Sequence, residues 1–256
     1  MGRSPCSGCG RRWSDDELNA AMDGRVAAVL FDDQGKADIE AILAGLTETE
    51  FEQAGLRRVL QNPDHVEDWR VGEAIAEVYL TDHRSCTFPW PDGRDERKSG
   101  SSLPGADLVG FGIDGQGDCC FVFGEVKTSR ERLHPPGTMY GPTGLKQQLE
   151  DLRDSNAIRD GLVTYLAHRA GPASWQVQFQ QAMKRYLGNP SDVQLHGVLV
   201  RDVEPHRDDL RARLRSLGTG CPEGTRIELL ALYLPQERLE GIGREMVTRR
   251  RQGGNR

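Results

Sequence analysis

The residues with the most chemical promise lie between Gly105 and Ser129, in GADLVGFGIDGQGDCCFVFGEVKTS. Asp107 opens one short apolar run, a turn rich in Gly and Asp follows, and a second apolar run ends in Glu125-Val126-Lys127. In a strand, side chains two apart emerge on one face about 7 Å apart. Glu125 and Lys127 therefore project together, and Val126 points the other way. Pairing of the two runs as a hairpin carries Asp107 to the same end of the sheet. Two carboxylates and an ammonium at the edge of an apolar sheet suit a hard divalent cation and an activated water. Singly, Asp107 reads as a strand-end carboxylate and Glu125 with Lys127 as a surface ion pair of small worth. Jointly, on apolar strands, they read as a site.

The elements around this hairpin follow from periodicity. Residues 14–62 read as three amphipathic helices, the first capped by Ser14 with Glu17 three residues on. Asp68–Leu80 is a helix that is apolar nearly all round, and its Glu73 and Glu77 sit one turn apart on one side. The sharper reading of Glu73 is a carboxylate aimed at the hairpin's site. A short strand is expected within 84–90, then a polar, charged loop over 91–103 with a mobile or substrate-contacting role. The hairpin strands run over 106–112 and 119–128, joined by a turn that explains the glycines of GFGIDGQG better than phosphate cradling does. Helices follow over 144–154, where Gln148 borders a leucine stripe, and then through 158–166 and 175–186. Two buried strands, 195–201 and 226–234, bracket a helix at 207–217. The expected fold class is α/β, a central mixed sheet flanked by helices with an N-terminal helical layer. The expected divisions are a flexible tail over 1–13, an acidic helical region over 14–67, the α/β core over 68–247 and a basic disordered tail over 248–256.

Bulk properties bound the function. The 256 residues are 37% hydrophobic and 28% charged, and no apolar run approaches a membrane span. The start, MGRSPCSGCGRRW, lacks an apolar signal core, so a cytoplasmic location is expected. Six scattered cysteines are not a disulfide framework, and Cys6 with Cys9 makes only half a zinc site, so a disordered tail is the better reading there. The net charge of −6 is unevenly spread: residues 14–67 hold 13 Asp plus Glu against 4 Lys plus Arg, leaving 29 basic and 26 acidic residues elsewhere. The acidic layer would repel phosphates or dock a basic partner, whereas the remainder is able to face a duplex.

A glutamate in a helix, then Asp107, then Glu125-Val126-Lys127, then a helix offering Gln148 resembles the PD-(D/E)xK, restriction-endonuclease-like nuclease superfamily. The resemblance covers about residues 68–166, and Ala106 stands where that motif commonly has proline. More narrowly, GEAIAEVYL, GADLVGF, FGEVKTS and LKQQLEDL look similar to the nuclease subunit of the Hachiman anti-phage system, which partners a helicase. The resemblance implies a metal-dependent endonuclease acting on DNA. Asp107, Glu125 and the Val126 carbonyl would hold Mg²⁺ or Mn²⁺, joined by Glu73 directly or through water. Lys127 would orient the attacking water, and Gln148 would touch substrate. A helicase or ATPase subunit is the implied partner, and a 5′-phosphate and a 3′-hydroxyl are the implied products.

Two rivals remain at this level. One is a catalytically silent nuclease-like module that binds DNA or restrains a partner, and the other is an α/β interaction scaffold using its acidic helices. No Walker A loop, dinucleotide-type glycine fingerprint or HExxH occurs, and His134, His168, His196 and His206 show no paired spacing.

Overall fold

The alternation of short apolar runs and amphipathic helices builds one six-stranded mixed sheet with helices on both faces. The structure, a computed structural model, describes residues 4–43, 45–46, 48–91, 94 and 105–253. Most of the expected 91–103 loop lies outside the described residues.

The strands are β1 (Cys6–Arg12), β2 (Cys86–Thr87), β3 (Leu108–Ile113), β4 (Cys119–Ser129), β5 (Gln194–Arg201) and β6 (Arg226–Tyr233). Their order across the sheet is β1-β6-β5-β4-β3-β2; β1, β6, β5 and β4 run parallel, while β3 is antiparallel to both β4 and β2. The β3–β4 hairpin forms as its composition demands. Asp114 accepts from the N–H groups of Gln116 (2.9 Å) and Asp118 (3.0 Å), and Gly117 takes the positive φ that the turn needs.

The strictly alternating strand pattern splits the core in two. One face carries Phe121 and Phe123 of β4, Leu195 and Leu199 of β5 and Leu229 of β6. It is covered by α6 (Leu145–Asp154), α7 (Asn156–Ala170), α8 (Gln176–Gly188) and α9 (Asp208–Gly218). The other face carries Val122, Val126, Val198 and Leu230. Against it lie α1 (Asp15–Asp23), α2 (Arg25–Leu30), α5 (Asp68–Arg84) and α10 (Ile242–Gly253). The N-terminal layer is completed by α3 (Asp33–Ile42) and α4 (Glu50–Val59). It has four helices where three are expected, because Gly24 splits the first apolar series into α1 and α2.

Two expectations fail. The stretch expected as a flexible tail is β1, paired in register with β6 from Cys6–Ile227 to Arg12–Tyr233. Its small residues hid it: a Cβ on Gly8 would lie 2.8 Å from Leu214, so glycine lets α9 close over the strand. Cys6 and Cys9, three apart on a strand, fall into the opposite cores, so they do not share a metal. The basic tail is also ordered, forming the end of α10 through Gly253. Arg249 donates to Asp23 (2.7 Å) and Glu245 (2.6 Å), Arg250 pairs with Asp33, and Arg251 reaches Asp64 (2.5 Å). The acidic layer thus already holds a basic partner, the chain's own last helix.

Candidate active site

β3 and β4 pair with Leu108 opposite Gly124, so one step further out Asp107 faces Glu125 across the hairpin. Odd-numbered residues of both strands point to the face covered by α6–α9. Asp107, Glu125 and Lys127 consequently share it. The pairing is closed by a bond from backbone to side chain, the Val126 N–H donating to Asp107 Oδ2 at 2.7 Å. In an extended strand a residue's N–H and C=O leave on the same edge, so the Val126 carbonyl also faces the place where β3 begins.

Glu125 is only 1% exposed, although it is a carboxyl. Its Oε2 lies 3.6 Å from Lys127 Nζ and accepts no hydrogen bond. Burial first, and then the neighbouring Asp107 carboxylate, push its pKa well above the usual carboxylate range; Lys127 pulls the other way without prevailing. A buried carboxylate oxygen without a donor, beside a second carboxyl and a half-buried amine, fits a divalent cation. The donor set is hard oxygen, and the cation's charge would favour the ionised form of Glu125.

No protein-family model matches the chain, and no curated protein does either. The geometry of the site therefore carries its interpretation.

α6 lies on the same face as the carboxyls, with Leu145 and Leu149 packed over Gly197 of β5. Its Gln148 presents a second buried oxygen, Oε1, that accepts no hydrogen bond. A Cβ on Gly197 would come 2.5 Å from a Leu149 methyl, so that leucine would have to shift.

Glu73 differs from expectation. α5 packs on the opposite face of the sheet, where Gly72 approaches Thr128 of β4, and Glu73 is ion-paired with Arg70 at 2.9 Å. Among the described residues no three His, Cys, Asp or Glu side chains converge to hold a cation, so Glu73 does not complete a direct cage with Asp107 and Glu125. The periodicity of α5 located its polar strip but not the side of the sheet on which it packs.

Two polar clusters escaped the sequence. At the ends of β5 and β6, fully buried Arg201 and Asp209 pair at 2.7 Å. His134 Nδ1 (2.9 Å) and the Tyr233 hydroxyl (2.8 Å) also contact Asp209, and Arg201 donates to the carbonyl of Leu133 at 2.9 Å. This network ties the loop after β4 to the sheet, with the His206 ring 4.6 Å from that of His134. Distant spacing in the chain concealed it. At the sheet's other end His196 is enclosed between Cys86 (3.8 Å) and Glu228 (3.8 Å), and burial lowers its pKa to about 4. It is therefore a neutral core histidine.

Proposed function

We propose that this protein is a metal-dependent endonuclease that hydrolyses DNA phosphodiester bonds, with Mg²⁺ or Mn²⁺ held by Asp107 and Glu125. The observation that carries the reading is the burial of Glu125 beside Asp107 and Lys127, with an oxygen left unsatisfied. Burying such a group costs several kcal/mol unless a charge partner offsets it, and surface carboxylates avoid that cost. A bound divalent ion supplies charge neutralisation at the phosphate and a lowered pKa for water.

The protein's own groups do the rest. Asp107 is oriented by the Val126 N–H, which holds its Oδ2, and the carboxylate so fixed would help to hold the cation. Lys127 steers a water toward phosphorus and offsets charge gathering on the non-bridging oxygens. Water oxygen bonds to phosphorus, the bond to the 3′-oxygen breaks, and a proton ends on that oxygen, giving a 5′-phosphate and a 3′-hydroxyl. Gln148 offers its amide to substrate on the same face. Glu73, on α5, would join only through water rather than as a direct ligand.

The motif order supports membership of the PD-(D/E)xK superfamily, and its longer matches support an effector subunit of an anti-phage complex that works with a helicase or ATPase in the cytoplasm. Among the described residues no helix is long and apolar enough to cross a membrane. The test is nicking of plasmid DNA in Mg²⁺, alone and with a helicase. Wild type should cut, and Glu125→Ala and Lys127→Ala should each lose at least about a hundredfold in rate. Equal cutting by the variants, or none by wild type, refutes the enzyme; retained DNA binding without cutting would favour the silent module.

A further inference from the structure

The apolar side of α4 has the physical character of an uncovered protein interface. α4 buries none of its side chains. Phe51 is 87% exposed and Val59 72%, and both lie on one side of the helix with Gly55 between them. Ile42 at the end of α3 (75%) and Leu46 just after it (67%) are exposed too, in the stretch that leads toward α4. A ten-residue helix in water is marginal even with good caps. The Thr49–Glu52 capping box contributes about 1 kcal/mol, so burial of the apolar side must supply the remainder. Large exposed apolar residues grouped in this way mark interaction sites.

The charge around this face selects the occupant. Residues 37–64 contain six Asp or Glu and two Arg. Of the acids in the layer, Asp15, Asp23, Asp33 and Asp64 are already bound, by Arg238, Arg249, Arg250 and Arg251. Around α3 and α4, exposed Glu40, Glu48 and Glu50 have no ion pair among the described residues. A second copy would bring like charge onto like charge, and nucleic acid would be repelled. We propose that this face docks another protein through a basic amphipathic helix, whose apolar stripe covers Phe51 and Val59 while its Lys and Arg residues meet the glutamates.

The experiment uses the full chain and a fluorescently labelled synthetic helix with leucines at i, i+3, i+4 and i+7 and lysines elsewhere; the control peptide replaces lysine with glutamate. Anisotropy should show binding of the lysine peptide only. Phe51→Asp should weaken it by at least about tenfold, even though the substitution adds negative charge, and Glu48→Gln/Glu50→Gln should weaken it too. Both variants should keep the wild-type melting temperature, because none of these side chains is buried. Failure of the lysine peptide to bind, or Phe51→Asp binding as well as or better than wild type, overturns the proposal. So does a wild-type dimer that Phe51→Asp dissolves, which would assign the face to a second copy. DNA cleavage should be unchanged in these variants, so this outcome is separate from that of the nuclease reading.

Discussion

Glu125 is a carboxyl that the fold has made hard to ionise, and this makes its behaviour with pH informative. Its pKa is raised in the folded chain by burial and by Asp107. A raised carboxyl binds more protons folded than unfolded, so its contribution to stability is full below the unfolded value of about 4.5 and is lost as pH rises through the folded one. Without divalent ions, melting temperature should therefore decline on the alkaline side, and Mn²⁺ should restore it, more so at pH 9 than at pH 6 because cation and proton compete. Glu125→Gln should flatten both trends; a Mn²⁺ effect that is unchanged in Glu125→Gln would contradict the assignment. The pairing of Glu125 with Lys127 was legible because strand periodicity is two, and Asp107 was legible once the hairpin was recognised. Burial of the pair was not, since it depends on helices that arrive later in the chain.

At the level of elements, the contact between α5 and β4 is the tightest constraint near the site. A Cβ on Gly72 would sit 2.0 Å from Thr128 Oγ1. Gly72→Ala gains up to about 1 kcal/mol of helix propensity but overpacks the seam, an effect of about 1–3 kcal/mol. The net result should be destabilisation, partly reversed by adding Thr128→Ala, as read by denaturant titration; stabilisation by Gly72→Ala alone would show that the seam is loose. The strongly apolar elements, α5 and strands β3 to β6, were readable to within a few residues. β1 was not, because CSGCGRR carries no apolar alternation and owes its place to backbone pairing and to the absence of side chains at Gly8 and Gly10. Glu73 was readable as a polar position on a buried helix, but a helix pattern does not state which face of a sheet it will cover.

Across the whole molecule, opposite ends of the chain are joined by charge. Arg238, Arg249, Arg250 and Arg251 bind Asp15, Asp23, Asp33 and Asp64, while Met246 and Val247 share a core with Leu18, Met22 and Val26. Mostly exposed pairs are worth up to about 1 kcal/mol each and are screened by salt. Arg249→Glu with Arg250→Glu should cost on the order of 1–2 kcal/mol and raise hydrogen exchange in α1 to α3, whereas unchanged exchange would mean that the apolar seam alone holds the layer. The charge split was visible in the sequence, but it reads equally well as an acidic layer awaiting a foreign partner and as one closed by its own C-terminus. The central claim concerns a single cation shared by two carboxyls, and electron paramagnetic resonance of bound Mn²⁺ tests it most directly. Wild type should bind Mn²⁺ at a site lost in both Asp107→Asn and Glu125→Gln; full occupancy in either variant, or none in wild type, would contradict it.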